Sequence, residues 1–320
     1  LLLLCFIPYT VAQSGTLSVF VFISQIAATL ILLPVGGFMA HCIEEQKKGI
    51  AGGWFQAGNL GGVGIGGGIG LWAAVHFNIL TCGIALSSLM LISGIIVSVM
   101  PDVTCKKETT LHTQLKTVWK DIVEMIKIPA AIFIIFIICT PINSGAATYL
   151  WSAVANDWNV DADTVSLVTG ILSGLVSALG SIAGGYLTDK RGVWWGYLGT
   201  GTLIALAALC MTAFPMIPVV YIAGVLLYAF VIGMGYAAFS AIVLYAIGKK
   251  AASTKYALLS SIGNLPTVYM TALDGWAHDY KGSKFMLVTE AFAGIAFVFV
   301  CLIVLKALKA KNNLYKPAYN

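Results

Sequence analysis

Nine long runs of apolar residues constrain this chain more than any other feature. A helix needs about 20 apolar residues to cross the hydrocarbon core of a bilayer, and each run is long enough. Hydrophobic residues make up 59% of the chain, charged residues 10%, and the mean hydropathy is +0.92. We therefore predict an all-α, polytopic membrane protein. The predicted spans are 16–40, 50–74, 79–100, 128–152, 164–187, 194–214, 217–247, 256–277 and 285–306.

The basic residues are divided unequally between the two sides that these spans define. Successive spans reverse direction, so alternate loops share a side. One side collects sixteen of the eighteen Lys and Arg residues, and the other has only Lys281 and Lys284, near Asp157, Asp161 and Asp163. The positive-inside rule makes the lysine-rich side cytoplasmic, which places the carboxyl terminus in the cytoplasm. Loops facing anionic lipid account for the net charge of +5, so we expect a lipid bilayer and no nucleic acid as partner.

The longest polar stretch, residues 101–127, divides the chain. Six spans follow it, and three precede it together with residues 1–9, which are too few to cross and resemble the end of a longer helix. The spans that begin at residues 50 and 256 carry Gly58-Asn59-Leu60 and Gly263-Asn264-Leu265 at similar depth. Transporters built from repeats place equivalent helices in equivalent positions. The match therefore predicts two related bundles.

A loop between two later spans carries a recognisable motif. Gly185, Asp189, Lys190, Arg191 and Gly192 follow the spacing of a cytoplasmic signature loop. Glycine permits a tight turn, and an aspartate near a helix amino terminus is favoured by the partial positive charge there. On this motif the chain resembles the major facilitator superfamily. The stretches 52–62 and 257–265 resemble its AmpG-type muropeptide permeases and the related acetyl-coenzyme A transporter group.

The resemblance implies a fold of six plus six helices, with the first two and a half missing from this chain. Residues 1–100 then form the carboxyl part of the amino-terminal bundle, from the end of its third helix to its sixth, and residues 101–127 form a cytoplasmic central loop. Residues 128–308 form the carboxyl-terminal bundle, and residues 309–320 a cytoplasmic tail. It further implies a monomer in a bacterial inner (plasma) membrane, and the motif of residues 185–192 acts in gating.

Glycines crowd the span 50–74. Gly58, Gly62, Gly66 and Gly70 recur every four residues, so they share one ridge of a helix. Such a ridge allows a second helix to approach at backbone distance. We predict that this ridge is a helix-packing surface.

Polar residues inside predicted spans are the best candidates for substrate contacts, because polar groups in hydrocarbon are costly unless they face a cavity or another helix. Pro141 should break the span 128–152 and free carbonyl groups beside Asn143. Asn143 could instead only bridge two helices, and Gln56, Asn59 and Asn264 could either reach a cavity or cross-link helices. Tyr221 is expected in an interfacial belt. The candidate substrate-binding residues are Gln25, Asn59, Asn143, Tyr149, Tyr228, Tyr236 and Asn264.

Two carboxylates, Asp274 and Glu290, are drawn into predicted spans and are candidates for ion or proton coupling. The competing interpretation is an interfacial salt bridge to Lys281 or Lys284, with His278 nearby. His41, Cys42, Glu44 and Glu45 match no standard metal site, so we expect neither a metal nor a cofactor.

The function expected from these features is secondary active transport of a small polar solute by alternating access, with proton symport as the preferred coupling. No Lys or Arg lies in the interior of a predicted span, which favours a neutral or zwitterionic cargo such as a muropeptide or amino sugar. We do not expect an enzyme. The alternative is a membrane-embedded enzyme acting on a lipid or cell-wall precursor, which would require catalytic residues gathered at one depth.

Overall fold

The computed structural model describes residues 14–98, 111–248 and 252–310. Every labelled element in these ranges is a helix. The residues 1–9, the basic residues Lys106, Lys107, Lys249, Lys250, Lys311 and Lys316, and most of the predicted tail lie outside the described residues. The α-helices are α1 (Ser14–Cys42), α2 (Lys48–His76), α3 (Ile79–Ser98), α4 (Leu111–Ile126), α5 (Pro129–Ile138), α6 (Trp151–Val154), α7 (Ala162–Ser166), α8 (Ser173–Arg191), α9 (Val193–Thr212), α10 (Pro218–Ile247), α11 (Ala252–Ile262) and α12 (Leu265–Ala310).

Within the described residues, four helical stretches are long and apolar enough to cross a membrane by length and composition. They are Ala162–Arg191, Val193–Thr212, Pro218–Ile247 and Ala252–Leu308. The last contains α11 and α12 and covers two predicted spans. Shorter apolar helical stretches, Gly15–Ala27 and Leu80–Ile92, lie in α1 and α3. The all-α membrane architecture predicted from the sequence is confirmed.

Several helix ends follow from local sequence. Pro129 and Pro218 stand in the first turns of α5 and α10, where a missing backbone N–H costs nothing. Gly192 ends α8 with φ 91°, a conformation that a side chain would strain. α12 is broken where Lys281 (φ −145°, ψ 19°) and Gly282 (φ 75°, ψ −176°) leave the helical region. This break falls between the two spans predicted there.

The apolar core consists of two clusters, one toward each end of the bundle. The first includes Ile134, Ile138, Ile242 and Leu259, and the second includes Trp158, Tyr221, Tyr228 and Met286. We call the end of the molecule that contains Lys48 and Asp189 the Asp189 end, and the end that contains Asp157 and His278 the Asp157 end.

The long helices α2 and α8 pack closely along their length. A Cβ on Gly64 would lie 2.6 Å from Cα of Gly174, and a Cβ on Gly53 would lie 2.7 Å from the carbonyl oxygen of Ser181. By contrast, Gly58, Gly62 and Gly66 have no described atom within 4 Å of such a position, and Gly70 meets only the side chain of Leu86, at 3.4 Å, rather than a helix backbone. The predicted packing ridge is therefore wrong. The helix has a second glycine-rich ridge, which contains Gly53 and Gly64. Only the position of α8 distinguishes the two ridges.

Two further predictions need correction. Tyr221 does not lie in an interfacial belt: it is fully buried, and its hydroxyl donates to the carbonyl of Trp151 at 2.9 Å. The polar stretch 101–127 is not simply a loop, because it contains α4, whose Met125 is buried while Trp119 is 69% exposed.

Candidate functional site

A cavity of 570 Å³ lies between α2, α8, α10, α11 and the residues that follow α5. Its lining combines side-chain amides and hydroxyls with aromatic rings, a mixture typical of sites that orient a small solute. Among the described residues that line it, Tyr is the only titratable type. The amide and aromatic residues of the lining are Gln56, Asn59, Asn264, Phe55, Tyr149, Trp151, Tyr228, Tyr236, Phe239 and Tyr256.

Helix α2 contributes a short chain of amide groups to this cavity. The Nε2 atom of Gln56 donates to Oγ of Ser240 in α10 at 2.8 Å. Asn59 donates from Nδ2 to Oε1 of Gln56 at 3.2 Å. Gln56 is buried, whereas Asn59 is exposed. The two interpretations of these amides therefore both hold, because Gln56 cross-links helices and also lines the cavity beside Asn59.

The break predicted at Pro141 is confirmed. Helix α5 ends at Ile138, and helical structure resumes only in a 3-10 turn at Ala146–Tyr149. Asn143 (φ 59°) and Gly145 (φ 64°) adopt the left-handed conformation between them. Such a break is tolerated inside a membrane protein when other groups satisfy the freed backbone atoms.

Side chains from α9 and α12 satisfy the carbonyl groups freed by this break. The hydroxyl of Tyr269 donates to the Cys139 carbonyl at 2.9 Å, and that of Thr267 to the Ser144 carbonyl at 2.8 Å. Tyr197 donates to the Ile142 carbonyl at 3.1 Å. Their positions at a broken helix could not be read from the sequence, because the partners lie far away along the chain.

Asn143 has the bridging role that the sequence left open. Its Nδ2 atom donates to the Tyr197 carbonyl at 2.9 Å, and its buried Oδ1 atom has no partner. It lines a small separate cavity of 40 Å³ rather than the large one. Asn143 thus fixes the broken segment to α9.

Asp274 and Glu290 form a buried pair on the two halves of α12. Asp274 is 0% exposed and Glu290 is 4% exposed. They stand seven and eight residues from the break at Lys281–Gly282 and lie close enough to interact electrostatically. Neither oxygen of Asp274 has a hydrogen-bond partner, and neither does Oε2 of Glu290.

Among the described residues, no salt bridge reaches either carboxylate. The predicted alternative of an ion pair with Lys281 or Lys284 is therefore wrong. His278 instead contacts Asp157, with 3.0 Å between Nε2 and Oδ2. Removing charge from water without a counter-charge is costly, so this pair is chemically distinct from a structural salt bridge.

Tyr228 connects this pair to the cavity. Its ring lines the cavity, and its hydroxyl donates to Oε1 of Glu290 at 2.5 Å. The Trp151 ring packs edge-on against Tyr228 with 5.5 Å between centroids. A single aromatic residue thus separates the solute-sized space from the carboxylates.

At the Asp189 end, α8 and α2 exchange a charged contact. Asp189 accepts from the backbone N–H of Gly49 at 2.6 Å and from that of Ile50 at 2.8 Å. These groups lie in the first turn of α2, where N–H groups have no partner within the helix. Beside them, buried Lys48 donates to Oε1 of Glu45 at 2.6 Å and to the Leu244 carbonyl at 3.2 Å.

The Asp157 end holds a second polar cluster. Asp157 accepts from the Ser283 hydroxyl and contacts His278. Partial burial alone would raise the pKa of Asp157, but hydrogen bonds from Ser283 and His278 and the charge of His278 together hold that pKa below its ordinary value. The loops at 157 and 278–283 therefore share one end, as their predicted topology requires.

The predicted residues divide clearly by location. Asn59, Tyr149, Tyr228, Tyr236 and Asn264 line the large cavity. Gln25, an exposed residue of α1, does not line it. Of the predicted gating residues, Asp189 forms the contact with α2, Gly185 packs against Gly53, Gly192 ends α8, and Lys190 and Arg191 are exposed. In the part of the chain that the structure describes, no group of three or more His, Cys, Asp or Glu residues is arranged to hold a metal ion.

Sequence reasoning missed several residues that position the site. Ser177 and Ser181 of α8 donate to the Ala229 and Gly233 carbonyls of α10, each at 3.0 Å. Their spacing of four residues within a helix rich in glycine was the available signal, since small residues mark close helix contacts. Ser240 and Thr267 carried no such signal.

These features define a polytopic helical membrane protein with a polar cavity beside a broken helix. The chain matches the family model of the Major Facilitator Superfamily over residues 1–271, and it belongs to that superfamily. It is therefore a membrane transporter. No curated protein matches the sequence.

Proposed function

We propose that this protein is a secondary active transporter that moves a small polar solute by alternating access, in symport with protons. The buried carboxylate pair carries this proposal. Asp274 and Glu290 lie inside the protein without a cation, next to a solute-sized cavity. Ionisable residues placed in this way in a membrane protein mark ion or proton pathways.

The cavity lining supports a neutral or zwitterionic solute rich in hydroxyl or amide groups. The amides of Gln56, Asn59 and Asn264 can exchange hydrogen bonds with such groups. The exposed ring of Tyr149 offers a flat surface for the C–H face of a sugar. The lining contains no Lys, Arg or His to bind a multiply charged anion. An amino sugar or muropeptide-like solute fits this chemistry.

The resemblance of the stretches 52–62 and 257–265 to muropeptide permeases supports the same class of cargo. Both stretches contribute residues to the cavity, including Asn59 in α2 and Asn264 just after α11. A bacterial inner membrane location, with the Asp189 end and the carboxyl terminus in the cytoplasm, accompanies this proposal. The abundance of lysines in the loops of that end supports the orientation.

Uptake into proteoliposomes tests the function. Purified protein is reconstituted, and muropeptides, amino sugars, simple sugars and short peptides are offered with and without an inward proton gradient. We expect at least one amino sugar or muropeptide to accumulate above its external concentration only when the gradient is present. Accumulation of no solute in the panel, or accumulation unaffected by the gradient, would contradict proton symport.

A further inference from the structure

Glu290 contacts the broken helix as well as its carboxylate neighbour. Its Oε1 atom accepts a hydrogen bond from the Tyr228 hydroxyl and a longer one, at 3.5 Å, from the backbone N–H of Ala147. Ala147 belongs to the turn in which helical structure resumes after the break. We call residues 146–158, from this turn to the Asp157 end, the hinge segment. One face of its first turn, Thr148 and Tyr149, lines the cavity.

Both ends of the hinge segment are attached to α12. Just before it, the Ser144 carbonyl accepts from Thr267, and at its far end Asp157 contacts His278 and Ser283. Glu290 provides the contact at its first turn. Of these contacts near the cavity, the one at Glu290 depends on a group whose charge can change inside the membrane.

The atoms around the pair favour different protonation states for its members. Oε1 of Glu290 receives two donors, and such donors favour a negative charge. Asp274 receives none, so protonation of Asp274 breaks no hydrogen bond. Transfer of the proton from Asp274 to Glu290 leaves the total charge of the pair unchanged. It removes the negative charge that attracts the backbone N–H of Ala147, 3.5 Å from Oε1, and so weakens this contact.

We propose that Glu290 is a positioning residue whose negative charge holds the hinge segment against α12, and that proton transfer from Asp274 to Glu290 releases this segment. Release then changes the positions of Thr148 and Tyr149 in the cavity wall. In this way protonation acts on the solute through the backbone of the broken helix. The proton and the solute need not be in contact. The inference rests on the proposed proton coupling and assigns it a structural route.

Amide hydrogen exchange of purified protein in lipid nanodiscs tests this role without transport. In Glu290→Gln the side chain keeps its volume and acceptor oxygen but loses its charge. We expect exchange of peptides covering the hinge segment to rise about tenfold, because the attraction between the Glu290 charge and the backbone N–H of Ala147 is lost. Tyr228→Phe, which keeps the carboxylate, should produce a smaller rise. Peptides from the core of α10, residues 238–247, should not change in either variant and report intact folding.

Asp274→Asn is the matched control, since it removes the proton donor and leaves the Glu290 charge in place. We expect its hinge segment to exchange like that of the wild type, even though its gradient-driven uptake is lost. Unchanged hinge exchange in Glu290→Gln would overturn the positioning role, and equal rises in both variants would do the same. Loss of gradient dependence in the wild type would instead contradict the proposed function, so the two failures are distinguishable.

Discussion

Asp189 and the Asp274–Glu290 pair place carboxylates in opposite circumstances within one bundle. Each oxygen of Asp189 accepts a backbone N–H from the first turn of α2. The pair lies deeper, and three of its four oxygens have no partner. Hydrogen bonds therefore stabilise a charge on Asp189, whereas a charge on the pair has few hydrogen-bond donors.

This difference gives the two places different roles. A charge held by helix N–H groups stabilises the contact of two helices. A charge held inside a protein without a counter-ion is costly and can be relieved by a proton. We therefore expect substitutions at the two places to affect different measurements, stability at Asp189 and coupling at the pair.

The largest effect is expected from Asp274→Asn. A permanently neutral side chain cannot carry a proton through the cycle, so accumulation driven by a proton gradient should be abolished. Exchange of internal for external solute requires no net proton movement and should remain. Both are measured in the same proteoliposomes, and an Asp274 variant that still accumulates solute would remove this residue from the mechanism.

Gly64→Ala tests the contact between α2 and α8, which starts at the Asp189 end. Its new methyl group would lie 2.6 Å from Cα of Gly174, so the helices must separate. We expect a loss of about 1–3 kcal/mol in the free energy of unfolding. Thermal or denaturant unfolding in detergent measures it.

The matched control for this variant is Gly62→Ala, at a position with no atom within 4 Å. It should be neutral or stabilising by up to about 1 kcal/mol, because alanine favours helix over glycine. Equal losses from both substitutions would show that the two glycine ridges do not differ as described.

Asp189→Asn should cost less and should leave coupling intact. The amide keeps one acceptor for the first turn of α2 but loses the negative charge near that helix terminus. We expect a loss of about 1–2 kcal/mol in stability and faster amide exchange at residues 49 and 50. Glu44→Gln, on an exposed side chain at the same end, is the control. A variant that lost gradient dependence while remaining stable would contradict the separation of roles.

The smallest effect is a pH dependence at the Asp157 end. Because the folded state lowers the pKa of Asp157, its ionised form contributes stability above the unfolded value of about 4, and this contribution is lost as pH falls through the lowered pKa. Unfolding temperatures of the wild type and Asp157→Asn should therefore differ at about pH 6 and converge toward about pH 3. Asp163→Asn, at an exposed position of the same end, is the control substitution.

The helices and their main break could be predicted because their causes are local. Apolar runs of sufficient length specify spans, and Pro141 specifies a break wherever the surrounding helices lie. The burial of Asp274 and Glu290 was also implied by their place within apolar runs. These predictions did not depend on which helices are neighbours.

The remaining features depend on neighbours and could not be predicted in the same way. Gly62 and Gly64 are alike in sequence, and only the approach of α8 makes one of them a contact. Tyr221 looked interfacial because it stands near a helix end, but Trp151 and Trp158 enclose it. The link from Glu290 to Ala147 joins residues 143 positions apart.

The most direct test of the account is proton movement driven by a solute gradient. Proteoliposomes with an entrapped pH indicator and no initial pH difference receive externally a solute identified by the uptake panel. The wild type and Asp189→Asn should acidify the interior as the solute enters, whereas Asp274→Asn should not. Solute entry into wild-type vesicles without acidification, or acidification that persists in Asp274→Asn, would contradict proton coupling through the buried pair.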